Sequence, residues 1–258
     1  MTAAAPLATL DQPLRLGAVP YLNGRPLVMG LDTDPRVARL DTAPPSLLAR
    51  SLLAGELDAV LGSVVLLAAH PHLRLVEGPV IGCDGPVETV VVVSRGPAHQ
   101  LRRVQADGAS RTSNELCRLV LQRPGVEVQV GDLPQADGRV IIGDRAFAAS
   151  PAGFTHRLDL GHAWKERTGL PFVFAGWLAR SDELARRVGP VVREAAARGL
   201  RAREDLAEAL AASCGISPSR AREYLLERIR YELTPELARG LELFLAAVRA
   251  GALPQSSS

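Results

Sequence analysis

Thr168-Gly169-Leu170-Pro171-Phe172-Val173-Phe174-Ala175-Gly176-Trp177 is the stretch that decides how this chain folds. A glycine and a proline make a turn, and the apolar run that follows has the length and composition of a buried strand. Everything after Ser181 is helical in character, over Glu183–Ala197, Arg203–Cys214, Ser219–Arg230 and Pro235–Ala250. Working back from that late strand, short apolar runs alternate with helical patterns. Strands are expected at Leu14–Val19, Leu57–Leu61, Leu73–Val76, Val80–Cys83 and Thr89–Ser94. Thr42-Ala43-Pro44-Pro45-Ser46 opens a helix through Ala54, with prolines in its first turn, and Gly62-Ser63 opens another over Val64–Ala69.

A second set begins near Arg103. Val104–Ala106, Glu127–Val130 and Val140–Ile142 read as strands, Ser110 or Thr112 caps a helix reaching Gln122, and Asp144–Ala149 is a short helix. Strands alternating with helices predict sheets with helices on their faces. Arg95-Gly96-Pro97 breaks the chain after Ser94, and the strand from Phe172 brings it back. Two crossings divide an α/β chain into two lobes, the architecture of bilobal solute-binding proteins that close by a hinge on a ligand. Residues 1–93 and 175–258 are assigned to lobe one and residues 94–174 to lobe two, with the helical C-terminal segment packed on lobe one.

Composition narrows the function. The chain has 258 residues, with 30 basic against 28 acidic side chains for a net charge of +2, so it offers no electrostatic footprint for nucleic acid. Residues 1–13 lack a basic n-region and an apolar core and read as a disordered lead-in, not a signal peptide. The longest apolar stretches fall far short of a membrane span, and a cytoplasmic protein is expected. Cys83, Cys117 and Cys214 are too dispersed for a disulfide framework or a zinc site, and His70 and His72 lack a third ligand. Neither a Gly-rich phosphate loop nor a Gly-x-Ser-x-Gly elbow occurs, so neither a nucleotide cofactor nor a serine hydrolase is indicated. Oligomeric state is not readable.

What remains are polar groups at strand–turn junctions. Ser110-Arg111-Thr112-Ser113 stands at a helix start, where unpaired N–H groups and short hydroxyls suit a carboxylate and Arg111 adds a two-pronged guanidinium. An ordinary N-cap with a solvated arginine is the plain alternative. Ser63 and Pro44–Ser46 offer similar helix starts. Asn23 follows the first strand, either as a turn residue or as an amide that donates to one ligand oxygen and accepts from another. Tyr21 is a packing residue or a cleft wall. Asp144 is an N-cap for its short helix or a substrate contact.

Val19-Pro20-Tyr21-Leu22-Asn23-Gly24-Arg25-Pro26-Leu27, Cys83-Asp84-Gly85-Pro86-Val87, Ser110-Arg111-Thr112-Ser113, Ile142-Gly143-Asp144 and Trp164-Lys165-Glu166 with Thr168–Ala175 resemble, in order and spacing, the chorismate dehydratases of the futalosine route to menaquinone. The resemblance runs from about residue 14 to 178, with the helical tail fitting in kind only. It implies a bilobal periplasmic-binding-protein-like fold of type 2 with two mixed sheets. The implied enzyme is a hydro-lyase that removes water from chorismate to give 3-[(1-carboxyvinyl)oxy]benzoate, with no metal or redox cofactor. It makes Asn23 the main catalytic-site residue and Thr89, where the family can have serine, its polar partner. Tyr21, Ser63, Ser110, Arg111, Thr112, Ser113 and Asp144 are carried as substrate-binding candidates. Two rivals stand beside this: a non-catalytic carboxylate-binding or sensing protein, and the sister enzyme 1,4-dihydroxy-6-naphthoate synthase, which calls for a basic side chain such as His156 or His162 in the cleft.

Overall fold

The computed structural model describes residues 12–123, 128–133, 135–148 and 150–253. The lead-in up to residue 11 and the expected element ends at Glu127 and Ala149 lie outside the described residues. The chain runs through β1 (Leu14–Ala18), a 3₁₀ turn over Leu22–Val28, β2 (Val37–Thr42), α1 (Pro45–Leu53), β3 (Ala59–Ser63), α2 (Leu66–Ala69) and β4 (Arg74–Cys83). It then crosses over and builds β5 (Val90–Ser94), β6 (Arg103–Gln105), α3 (Arg111–Leu121), β7 (Gln129–Gly131), β8 (Gly138–Ile142), β9 (His156–Asp159) and α4 (Leu160–Thr168). It crosses back as β10 (Phe172–Ala179) and ends in α5 (Asp182–Arg201), α6 (Arg203–Leu210), α7 (Pro218–Glu223), β11 (Ile229–Arg230) and α8 (Pro235–Ala250).

Two mixed sheets result, in the orders β11-β4-β10-β3-β1-β2 and β7-β6-β8-β5-β9. In the first, β1 runs parallel to β2 and β3, while the returning β10 inserts antiparallel between β3 and β4. Both central strands are buried along their whole length, as their unbroken apolar sequences require. In the second sheet β5 pairs antiparallel with β8 and β9. Val90–Val93, which the sequence assigned to lobe one, therefore belong by their strand pairing with the second sheet, and the outgoing crossing lies in Asp84–Thr89.

Several elements differ from the sequence expectation for identifiable reasons. β2 was not expected: it is an edge strand whose exposure leaves no clean apolar alternation in Val-Ala-Arg-Leu-Asp-Thr. Thr42 consequently closes β2, and Pro44 occupies the N-cap position of α1 without a side-chain cap. Gly62-Ser63 does not open a helix, because both residues pair with Gly176 and Ala175 of β10. The stretch Ser219–Arg230 is not one helix: α7 stops at Glu223, a π-helical turn covers Tyr224–Arg228, and β11 joins the first sheet beside Cys83 and Gly82. β9 and α4 also went unread, since Asp159 is the N-cap whose carboxylate accepts the His162 N–H that starts α4.

The return crossing is locked by aromatic packing. Phe172 stands edge-on to Trp164 at 5.1 Å, to Phe244 of α8 at 4.9 Å and to Phe174 at 4.7 Å. Trp164, Phe172 and Phe244 are fully buried, so α4, β10 and α8 share one apolar centre. Phe172→Ala is expected to lower unfolding free energy by about 3–5 kcal/mol, and Phe172→Leu by roughly 1 kcal/mol, in denaturant titrations. Equal losses from the two variants would show that ring packing is not what holds this crossing.

Candidate active site

The two sheets meet at the ends of their strands, and a small cavity of about 50 Å³ lies between them. Its first wall is Val19 and Tyr21 after β1, Asn23 in the 3₁₀ turn, Pro45 at the start of α1, and Ser63 where β3 ends. Its second wall is Thr89 and Val90 at the start of β5, Ser110 and Ser113 at the start of α3, and Ile142 and Gly143 where β8 ends. Ile81, Val87, Phe174 and Ala175 supply the apolar remainder. None of these described lining residues is charged.

Asn23 sits at the base, 9% exposed. Its Nδ2 donates to the Tyr224 hydroxyl at 2.8 Å, and its Oδ1 is buried without a hydrogen-bond partner. An orphaned buried amide oxygen is costly unless a ligand satisfies it. The same phenol oxygen lies 2.6 Å from Thr89 Oγ1, and both Thr89 and Tyr224 are fully buried. Burial drives the Tyr224 phenol well above the ordinary tyrosine pKa, with the Thr89 and Asn23 hydrogen bonds acting in the opposite direction. The phenol is therefore protonated throughout the working range. Tyr224 comes from the helical tail, where a tyrosine inside an amphipathic pattern carries no signal of a site; only the three-dimensional path of the tail reveals it.

Thr89 is placed by the loop before it. Val87 and Glu88 donate their N–H groups to Asp159, at 3.0 Å and 2.7 Å. Glu88 adopts φ 66°, unusual for a residue with a Cβ, and its carboxylate is paired with Arg220 and Arg228, each at 3.3 Å. Asp159 was likewise missed, although an aspartate before an apolar helical pattern is a readable N-cap signal.

The Ser110–Ser113 motif divides. Ser110 caps α3, accepting the Ser113 N–H at 3.3 Å, and the two hydroxyls lie 3.0 Å apart on the cavity wall. Thr112 faces the other way and accepts the Val65 N–H at 3.3 Å, bridging the lobes. Arg111 is exposed and lines a separate groove with Leu66, Asn114 and Arg249, so it is not part of this cavity. Ser63 lines the cavity from the end of a strand and not from a helix start.

Asp144 differs from its expected role as an N-cap. It makes no cap bond to its own 3₁₀ turn; its carboxylate accepts the Leu22 N–H at 3.0 Å and 3.2 Å from across the cleft. Burial raises its pKa despite that bond. Beside it, Tyr21 lies against Gly143, whose φ is +65° and where an added Cβ would meet the ring at 2.5 Å. Together with the Ser46 N–H to Ala109 carbonyl bond at 3.1 Å, these contacts close the lobes on each other. Among the described residues no cluster of three potential metal ligands occurs, and no helix is long and apolar enough to cross a membrane.

Two α/β lobes with mixed sheets and a cleft at their strand ends define a periplasmic-binding-protein-like protein. Solved structures agree: a protein of Archaeoglobus fulgidus superposes with TM-score 0.73 at 17% identity over 94% of this chain and 99% of that one. The alkanesulfonate-binding protein of Xanthomonas axonopodis pv. citri bound to MOPS superposes with TM-score 0.63 at 19% identity, over 96% of each chain. Within that class the chain belongs to the menaquinone biosynthesis family, whose sequence model matches residues 14–250. It is similar to the chorismate dehydratase of Thermus thermophilus, 31% identical over 260 residues covering 87% of this chain and 96% of that protein. It is also similar to the chorismate dehydratase of Campylobacter jejuni, 29% identical over 155 residues covering 60% of this chain and 58% of that protein.

Gly143→Ala is expected to lower unfolding free energy by about 1–3 kcal/mol through its left-handed backbone alone. The clash with Tyr21 adds to this, so Gly143→Ala/Tyr21→Ala should be less destabilised than the sum of the two single variants. Strict additivity in denaturant titrations would mean that ring and glycine do not touch.

Proposed function

We propose that this chain is a chorismate dehydratase, a carbon–oxygen lyase of the cytoplasm that converts chorismate to 3-[(1-carboxyvinyl)oxy]benzoate and water on the futalosine route to menaquinone. One observation carries the reading: the Asn23 amide presents an unpartnered buried oxygen to the cavity beside the Thr89 hydroxyl. The similarity to chorismate dehydratases along nearly the whole chain supports the choice of substrate.

The chemistry suits a neutral cleft. The ring C3–H bond breaks, its electron pair becomes part of the new aromatic ring, and the C4–O bond breaks with the hydroxyl leaving; proton and hydroxide depart as water. Aromatisation makes the step strongly downhill, so positioning and one proton transfer supply most of the rate. Asn23 is too weak a base to take the C3 proton. It orients the leaving hydroxyl, Thr89 assists it, and a carboxylate of the substrate itself accepts the proton. The other carboxylate is held by the Ser110 and Ser113 hydroxyls and the free N–H groups at the start of α3, where the helix dipole favours an anion. Ser63 and Tyr21 complete the walls.

Purified protein incubated with chorismate and no added cofactor should yield a product lighter by one water, with the ultraviolet absorbance of an aromatic ether. Saturable binding with unchanged chorismate would overturn the enzyme reading in favour of a binding or sensing protein. The sister naphthoate synthase is disfavoured because no histidine lines the cavity and His156 and His162 are exposed. Asn23→Ala should lower kcat by about 10²–10⁴-fold. Ser110→Ala/Ser113→Ala should instead raise KM about ten- to a hundredfold, the loss of hydrogen bonds to a charged group, with kcat little changed. Near-normal turnover by Asn23→Ala would remove Asn23 from the mechanism.

A further inference from the structure

We propose that Tyr224, carried by the C-terminal helical segment, is the positioning residue that sets the hydrogen-bond polarity of the cleft. It holds the Asn23 amide so that Oδ1 is offered as an acceptor, and it leaves the Thr89 hydroxyl proton free to be offered as a donor. The proposal rests on the dehydratase reading for its kinetic consequence, but the hydrogen-bond arrangement stands on geometry alone.

The phenol does not line the cavity, so it reaches substrate only through its two partners. Asn23 Nδ2, at 2.8 Å, can only donate, so the phenol oxygen accepts there. The phenol has one proton of its own, and Thr89 Oγ1 at 2.6 Å is the remaining partner among the described residues. A fully buried hydroxyl left without an acceptor is costly, so that proton goes to Thr89. Thr89 Oγ1 is then an acceptor toward Tyr224, and its own proton turns elsewhere, toward the cavity it lines. Asn23 has one amide edge engaged and the other, Oδ1, free.

One buried phenol thus orders a donor and an acceptor side by side on the floor of the site. That pair is matched to a leaving hydroxyl, which donates a hydrogen bond to Asn23 Oδ1 and accepts one from the Thr89 hydroxyl as its carbon–oxygen bond breaks. Without the phenol the amide is free to turn over, which would exchange acceptor for donor. The ring itself is fixed by edge-on contact with Phe147, centroids 5.0 Å apart and planes at 87°. Tyr224 opens the π-helical turn over Tyr224–Arg228 that follows α7.

The test compares wild type with Tyr224→Phe, which keeps the ring and its contact with Phe147. Tyr231→Phe is the control, removing a second buried hydroxyl that has no partner. Tyr224→Phe should lower kcat about a hundredfold with KM nearly unchanged, the cost of a misplaced reacting group. Tyr231→Phe should leave kcat within a factor of two or so. In the Asn23→Ala/Thr89→Ala background, adding Tyr224→Phe should cost nothing more, because the phenol acts only through those two side chains.

A second readout does not depend on turnover. The Asn23 side-chain amide signals in nitrogen–proton correlation spectra, assigned by their loss in Asn23→Ala, should be protected from solvent exchange in wild type and lose protection in Tyr224→Phe. Unaltered kcat and unaltered protection in Tyr224→Phe would overturn the positioning role. Rapid exchange of both amide protons already in wild type would overturn the assigned polarity. If wild type fails to dehydrate chorismate while protection is lost in Tyr224→Phe, the substrate reading falls and the arrangement of the three side chains stands.

Discussion

One carboxylate governs where the chain passes between the lobes. Asp159 accepts N–H groups from Val87 and Glu88 on the outgoing crossing and from His162 at the start of α4, on the way back. A carboxylate gathering three backbone donors is a strong, directional constraint. It ties the outgoing crossing to the start of α4 and holds Glu88 in a left-handed backbone that a residue with a Cβ otherwise avoids. Arg157 adds a bond to the Glu88 carbonyl at 2.8 Å. Thr89 is the next residue: its N–H donates to Val87, and its carbonyl accepts from Gly143. The position of the cleft hydroxyl is thus inherited from a side chain that never touches the cavity.

The character of the cleft follows from what that framework excludes. No lysine, arginine or histidine reaches the described cavity wall, so its polar donors are hydroxyls and a helix N-terminus. Such donors are fixed in place and bring no counter-charge that would stabilise ground state and product alike. Ser110, Ser113 and Thr89 are buried, and in such surroundings each donor is worth more than it would be in solvent. A pure binding site satisfies its ligand with all its polar groups equally. Here the amide oxygen and the threonine hydroxyl sit apart from the α3 serines, which suits one part of a ligand being held while another part reacts.

Much of this was legible in the sequence because the site is built at strand–turn junctions. Asn23, Thr89, Ser63, Ser110 and Ser113 all follow or precede short apolar runs, and all five line the cavity. Arg111 and Thr112 share the same motif yet face elsewhere, since adjacent helix residues point about 100° apart and spacing alone does not say which face meets the cleft. Asp144 was placed correctly in the chain but misread locally, because its partner Leu22 is 122 residues away. β2 and β9 escaped notice for a simpler reason: half-exposed edge strands lack the apolar run that marks a central one.

Tyr224 and the tail show the limit of local reading most clearly. An apolar-periodic tail predicts helices and packing, and it delivers both; its periodicity says nothing about a break into a π-helical turn and a two-residue strand. Those departures are consequences of tertiary contact. β11 pairs Ile229 with Cys83 and Arg230 with Gly82, at the last residues before the outgoing crossing. An added Cβ at Gly82 would stand 2.8 Å from the Phe172 carbonyl and 2.9 Å from Leu237, so β4 packs closely against the return strand and α8 at the same place. Five residues before β11, Tyr224 is delivered between Asn23 and Thr89 in register with that crossing. Arg220 and Arg228, on either side of it, grip the Glu88 carboxylate. The tail therefore fastens itself at the point where the lobes connect, and through Tyr224 it carries that fixed point into the cleft.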